Sequence, residues 1–280
     1  MPQVCRAESA GEGLSSPVPV PAAIARSAIA PVLAGPKARA EQVTQLVLGE
    51  TASIIERNGE WRHVCTHIDS YNGWVHAGYL SELGESAVIE WRTRATGWSQ
   101  GAVLQVEVTR LPLPLRARVV LEGDVVELPD GRRGRLVDGS IGDLPQVVSS
   151  ARTKAPEHWA ADHFLGSPYQ WGGVTPWGVD CSGLVQTTFL ARGITLPRDS
   201  AQQVSHGEDV PPEAIRPGDL LFFRSESGTR ITHVAFAGEG ETLVHSTLSC
   251  GGMLVEPWSP GTRAAGLRSR LVAVRRLEGR

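Results

Sequence analysis

The stretch WGVDCSGLVQ, residues 177–186, decides how the C-terminal half of this chain is read. Asp180 is a good helix N-cap. Leu184, Val185, Thr188 and Phe189 then recur at helical spacing, and Gly193 is a stop signal. Cys181 therefore opens the first turn, where unpaired backbone N–H groups and the positive end of the helix dipole favour a thiolate. A small buried residue is what most free cysteines are. Position does not separate the two readings. The histidines downstream do.

Nucleophilic cysteine catalysis needs a thiolate, a base within hydrogen-bond reach and a third group that orients the base. His233 lies in the strand-like ITHVAFAG (231–238), and His245 in TLVHST (242–247). The connection between them predicts a hairpin loop at Gly238, Glu239 and Gly240, with Gly240 left-handed. That register pairs 237 with 241 and sets His233 directly opposite His245. Opposed residues share one face with Cβ atoms about 4.5–5.5 Å apart, so one imidazole can hold the other. A slip of one residue would separate their faces. His63, Cys65 and His67 also alternate along one strand, but no fourth residue at matching spacing completes a metal site, so no metal is expected.

The whole chain has 280 residues and a formal net charge of −3, enough for two or three small cores. Slight acidity gives no reason to expect nucleic acid, and no lysine- or arginine-rich run points to a membrane surface. No apolar run approaches the roughly 20 residues of a membrane-spanning helix. Residues 1–27 hold no apolar segment behind a basic start, and Cys5 lacks the apolar stretch that a lipid-anchored cysteine follows. The four cysteines form no CxxC pair. The expectation is four free thiols in a reducing cytoplasm.

Along the chain, residues 1–27 are rich in Pro, Ala, Ser and Gly and are expected to be irregular. Residues 28–85 read as short strands with an Asn-Gly hairpin signal at 58–59, a pattern that suggests a small β-barrel. Residues 86–150 repeat the theme, with AVIEWRTRA (87–95) taken as strand-like, and suggest a second barrel. Residues 151–280 change character. A helix entered at Pro156 and stopped at Gly166, the helix of Cys181, and three strands at DLLFFR, THVAFAG and TLVHST give an α+β domain.

The motifs SPYQWGGVTPWGVDCSGLVQ (167–186), LPRDSAQQ (196–203), RPGDLLFF (216–223), ITHVAFAG and LVHST together resemble the NlpC/p60 family of bacterial cell-wall cysteine peptidases. The likeness runs from residue 155 to about 275 and implies a papain-like fold. It implies Cys181 as nucleophile, His233 as base and His245 as the orienting residue. The segments before it resemble bacterial SH3-like barrels. The whole arrangement resembles cytoplasmic dipeptidyl-peptidases that cleave γ-D-glutamyl–diamino-acid bonds in murein tripeptides or tetrapeptides, without a cofactor. By the same likeness Tyr169 lies beside the thiol, Asp180 and Ser182 flank it, and Asp199 and Ser200 line the groove wall. Glu50, in the GE at 49–50, and Tyr71, in the YNGW at 71–74, match an acid and a tyrosine that close one end of the groove. Glu50, Tyr71 and Asp180 would then receive the substrate's free amine. Cys250, in an expected turn, is read as non-catalytic. A secreted endopeptidase whose barrels bind polymeric wall, an inactive binder and an acyltransferase are the alternatives.

Overall fold

The computed structural model describes residues 21–278. The chain divides into two units between Leu144 and Pro145.

The first unit begins with β1 (Pro21–Ala25), β2 (Ile29–Leu33), β3 (Gln42–Val47), β4 (Thr51–Asn58), β5 (Trp61–Thr66), β6 (Asn72–His76) and β7 (Leu80–Gly84). They form one seven-stranded sheet in the order β3-β2-β6-β5-β4-β1-β7. Small and β-branched residues fill its inner face, among them Ala23, Val32, Ala52, Val64 and Val75. The Asn-Gly signal is a real hairpin, with Asn58 paired to Trp61. The irregular segment expected to reach residue 27 is corrected over its end, because β1 already pairs with β4 and β7. Residues 1–20 lie outside the described residues.

AVIEWRTRA is not a strand. It lies in helix α1 (Glu85–Arg94). Val88, Trp91 and Ala95 fall on one helical face and bury against Ala22, Ile24 and Val120, whereas Ile89 is exposed. The helical spacing of three apolar residues outweighs the β-propensity of Val and Ile. A second seven-stranded sheet follows: β8 (Gly97–Ser99), β9 (Val103–Val106), β10 (Thr109–Pro112), β11 (Arg118–Glu122), β12 (Val125–Glu127), β13 (Arg133–Asp138) and β14 (Ile141–Asp143). Helix α2 (Leu144–Arg152) runs across the boundary expected at residue 150.

The second unit contains α3 (Pro156–Phe164), a short ribbon of β15 (Val174–Thr175) and β16 (Gly178–Val179), α4 (Cys181–Ala191) and α5 (Ser200–Gln203). A sheet follows from β17 (Glu208–Asp209), β18 (Leu220–Arg224), β19 (Ile231–Gly238), β20 (Thr242–Thr247), β21 (Gly252–Pro257) and β22 (Leu271–Arg276), in the order β17-β22-β18-β19-β20-β21. Helix α4 is buried on nearly every side and packs against α3, β19 and β20. It ends as expected, with Gly193 left-handed.

The β19–β20 register differs from expectation. Gly238 pairs with Thr242 and Phe236 with Val244, so the loop is Glu239–Glu241 and not Gly238–Gly240. Glu241 takes a left-handed conformation beside Gly240. Continued along the strands, this register sets His245 opposite Ala235. His233 is then a diagonal neighbour on the same face, a separation that imidazoles bridge.

Cys65 is disulfide-bonded, which corrects the expectation of free thiols there; Cys5 lies outside the described residues. Cys181 and Cys250 are free. No described helix is long and apolar enough to cross a membrane.

Gly183, in the first turn of α4, lets the loop before it pass at close range. A Cβ there would sit 2.1 Å from the Gly173 carbonyl oxygen, and backbone cannot swing aside. Gly183→Ala is expected to destabilise the protein by about 1–3 kcal/mol. Urea denaturation measures this, and an unchanged midpoint would show that the loop does not pack as described.

Candidate active site

Cys181 is the first residue of α4, and Asp180 caps the helix by accepting from the Gly183 N–H at 2.7 Å. The Asp180 carboxylate also accepts from the Gly172 N–H at 2.8 Å and the Ser182 hydroxyl at 3.2 Å. Arg198 grips both of its oxygens, at 3.0 and 2.6 Å. The guanidinium donates as well to the Ser182 oxygen and to the Gly173 carbonyl. Asp180, Ser182 and Arg198 are all buried. Asp180 is thus already neutralised by a bidentate partner. That finding qualifies its expected part in receiving an ammonium. Asp199 starts α5 without a side-chain cap, and Ser200 is buried beside it.

The Cys181 sulfur faces strand β19. The Val234 backbone N–H lies against it, with that of Ser182, and both favour the anion. Burial and then the Asp180 charge oppose them and push the thiol up to about 12. Burial therefore works against the helix-start thiolate expected from sequence. Tyr169 lies close enough for the Cys181 and Asp180 charges to act on it. Burial, more than those charges, raises its phenol, which stays a neutral donor.

His233, the residue before Val234, joins His245 through a 2.8 Å hydrogen bond between Nε2 and Nδ1. His245 in turn meets Glu256 of β21, Nε2 to Oε1, at 2.8 Å. Arg263 donates from Nε to Glu256 Oε2 at 3.0 Å and closes on Oε1 with Nη2. Burial first, then His245, Arg270 and Arg263, hold His233 well below 6.5. Burial likewise lowers His245, against the opposing pull of Glu256. Burial thus favours a neutral thiol on Cys181 and a neutral imidazole on His233, the residue next to the Val234 N–H that meets the sulfur.

Sequence reasoning missed Arg198, Glu256 and Arg263. Arg198 lies inside the quoted LPRDS motif, unremarked between Pro197 and Asp199. Glu256 had a usable signal, as one acid in the apolar run MLVEPW (253–258). Arg263 had none.

In the first unit, Glu50 is buried and accepts from Arg116 Nε at 2.6 Å and from the Val47 N–H at 3.0 Å. It is therefore no bare carboxylate either. Tyr71 closes the turn after β5, its N–H bonded to the Thr66 hydroxyl. His67 bridges the Thr51 and Ser53 hydroxyls, and His63 stacks on Trp74. Cys250 follows β20 in a one-turn 3₁₀ helix and is exposed.

A buried cysteine at a helix start, with paired histidines on the adjoining sheet, defines a cysteine-peptidase type of site. Comparison with known proteins agrees. Residues 166–265 match the NlpC/P60 family, and residues 32–80 match the bacterial dipeptidyl-peptidase Sh3 domain. The chain is 30% identical over 216 residues to the γ-D-glutamyl-L-lysine dipeptidyl-peptidase of Bacillus subtilis, covering 72% of this chain and 71% of that protein. It is 29% identical over 230 residues to the enzyme of the same name from Bacillus cereus, covering 72% and 66%. An NlpC/P60 family crystal structure from Bacillus cereus superposes with a TM-score of 0.74 at 20% identity, covering 91% of this chain and 99% of that one. This chain belongs to the NlpC/P60 family, and it is a peptidase.

Removing one partner of a buried ion pair leaves a charge with no counterion. Arg198→Met is expected to cost about 3–5 kcal/mol of stability. Chemical denaturation tests this; a loss under about 1 kcal/mol, the worth of a surface pair, would mean that Arg198 does not secure the helix start.

Proposed function

We propose that this protein hydrolyses the γ-D-glutamyl–diamino-acid bond of murein tripeptides or tetrapeptides that carry a free N-terminal L-Ala, releasing L-Ala-D-Glu. The observation that carries the reading is the line from His233 through His245 to Glu256, set beside the Cys181 helix start. Two further facts support the substrate class. The matched dipeptidyl-peptidase Sh3 segment, 32–80, contains Glu50 and Tyr71, and two relatives are named for γ-D-glutamyl-L-lysine cleavage. The second N-terminal sheet is read as a further SH3-like barrel.

His233 Nδ1 takes the thiol proton as the Cys181 sulfur attacks the γ-carbonyl carbon. The oxyanion that forms needs donors already in place, and the Tyr169 hydroxyl and the Cys181 N–H are the candidates. As the C–N bond breaks, His233 returns its proton to the leaving amine. Water then attacks the thioester, His233 takes its proton, and the γ-carboxylic acid and the thiol are released. None of these steps requires a cofactor. Amine recognition is proposed for Glu50, Tyr71 and Asp180, acting through carboxylates whose charge Arg116 and Arg198 already share. Ser182, Asp199 and Ser200 are proposed as groove residues.

The compartment proposed for this activity is the cytoplasm, in recycling of wall peptides. One observation favours a second reading, a secreted endopeptidase whose N-terminal unit binds polymeric wall: a disulfide such as that at Cys65 belongs to oxidising compartments.

Mass spectrometry of products from L-Ala-γ-D-Glu-diamino-acid peptides, free and N-acetylated, tests the first reading. Cleavage of the free peptide alone is expected. Comparable rates on both peptides, or preference for intact sacculi, would favour the second. Cys181→Ala is expected to abolish turnover with folding retained, His233→Ala to lose nearly as much, and His245→Ala less. Because burial keeps His233 unprotonated, the acid limb of kcat/KM should lie below pH 6.5. A limb above that value would mean a solvated base.

A further inference from the structure

An orienting histidine is useful only if its own tautomer is fixed, and nothing in the Cys181–His233–His245 set fixes it. Each neutral imidazole has one donor and one acceptor nitrogen, so the His233–His245 bond satisfies both rings equally well in either direction. In one direction His233 presents a bare Nδ1 to the thiol and can act as base. In the other it presents an N–H and cannot.

Glu256 removes the ambiguity. Its carboxylate is nearly buried, with 8% exposure. Burial pulls its carboxyl up, but hydrogen bonds from Arg263 and His245 together outweigh that and hold it below its usual value, so it is ionised. An ionised carboxylate only accepts. His245 Nε2 must therefore carry a proton, its Nδ1 must be bare, and the proton between the rings must reside on His233 Nε2. His233 Nδ1 is then left free for the thiol.

We propose that Glu256, braced by Arg263, is a positioning residue for catalysis, one that fixes the tautomers of both histidines and stabilises the imidazolium formed when His233 takes the thiol proton. The inference rests on the reading of Cys181 as nucleophile and His233 as base. Arg263 serves two ends here. It offsets the Glu256 charge, and it anchors the carboxylate to the segment after β20 by donating to the Ser249 hydroxyl at 2.8 Å. The charged groups acting on the two rings are Glu256 from β21, and Arg263 and Arg270 from the 3₁₀ segment 263–270, while on α4 Asp180 acts on the Cys181 thiol.

The test compares Glu256→Gln, Arg263→Met and Arg263→Lys with the wild-type protein, each in a Cys250→Ser background, which leaves one free thiol among the described residues. Two profiles are recorded for each: kcat/KM against pH on L-Ala-γ-D-Glu-L-Lys, and the rate of Cys181 alkylation by iodoacetamide against pH. The second needs no substrate. A glutamine at 256 can turn its amide and donate to His245, which selects the wrong tautomer. Its kcat is expected to fall about 10- to 100-fold with KM little changed. With the carboxylate charge gone the imidazolium is less favoured, so the acid limb moves to lower pH. Arg263→Met leaves the Glu256 charge uncompensated, and the limb moves to higher pH. Arg263→Lys keeps the charge and leaves the limb in place.

Opposite shifts in the first two variants support the proposal. Loss of activity with both limbs unmoved, or shifts of the same sign, would reduce Glu256 to a structural prop and overturn it, as would kcat within twofold of wild type in Glu256→Gln. If Glu256→Gln does not fold, Arg263→Met decides, since that side chain is 45% exposed. Full activity in Cys181→Ala would instead overturn the underlying nucleophile assignment.

Discussion

Asp180 carries a full negative charge at 5% exposure, and much of the catalytic unit is arranged to make that tolerable. Taking a carboxylate out of water costs several kcal/mol unless its lone pairs are met. Here they are met by two backbone N–H groups, a hydroxyl and a bidentate guanidinium. These donors come from three places: the loop at Gly172, the first turn of α4, and the segment that leads into α5. One charge therefore ties together the pieces of chain around the nucleophile. It has a chemical cost as well. The same carboxylate works against a thiolate on the adjoining residue, and Arg198 partly offsets that effect. The ion pair thus places the nucleophile and limits how far its anion is disfavoured.

The proton path is built on a different principle. His233, His245 and Glu256 come from three successive strands, and the strand registers set each pair diagonally and not face to face. Diagonal neighbours are about 7–8 Å apart at the backbone, a gap that imidazole and glutamate side chains span and shorter ones do not. A slip of one residue in either hairpin would turn one member to the opposite face and break the line. The β20–β21 ladder, running from Thr242–Pro257 to Thr247–Gly252, holds that register on the Glu256 side.

The nucleophile helix was legible in the sequence because its signals are local: an N-cap, an apolar spacing and a glycine stop. The histidines were legible as a pair because sliding a three-residue loop by one position, from 238–240 to 239–241, shifts the pairing by two residues and so keeps both on one face. Helix α1 was misread because Val88 and Ile89 carry β-propensity, while the face that makes it a helix depends on Ala22, Ile24 and Val120, distant in sequence. Arg198 and Arg263 were invisible for a related reason. An arginine becomes an ion-pair partner through tertiary proximity, and nothing in its own neighbourhood announces the acid it will meet. The bond at Cys65 was missed because spacing alone does not pair widely separated cysteines.

The seam between the two N-terminal sheets has its own bearing on how such a protein is inherited. Gly49 has no room for a side chain, since a Cβ there would fall 2.1 Å from the Arg118 carbonyl oxygen. Its own carbonyl accepts from the Trp91 indole, and Glu50 beside it is neutralised by Arg116. Each of those partners lies beyond residue 84, outside the sheet that holds Gly49 and Glu50. Deleting the second sheet would strand a buried carboxylate and uncover the apolar face of α1. Removing or exchanging one sheet without the other would break these contacts, and the smallest portion of the N-terminal unit that keeps them is longer than the stretch bearing the Sh3 signature.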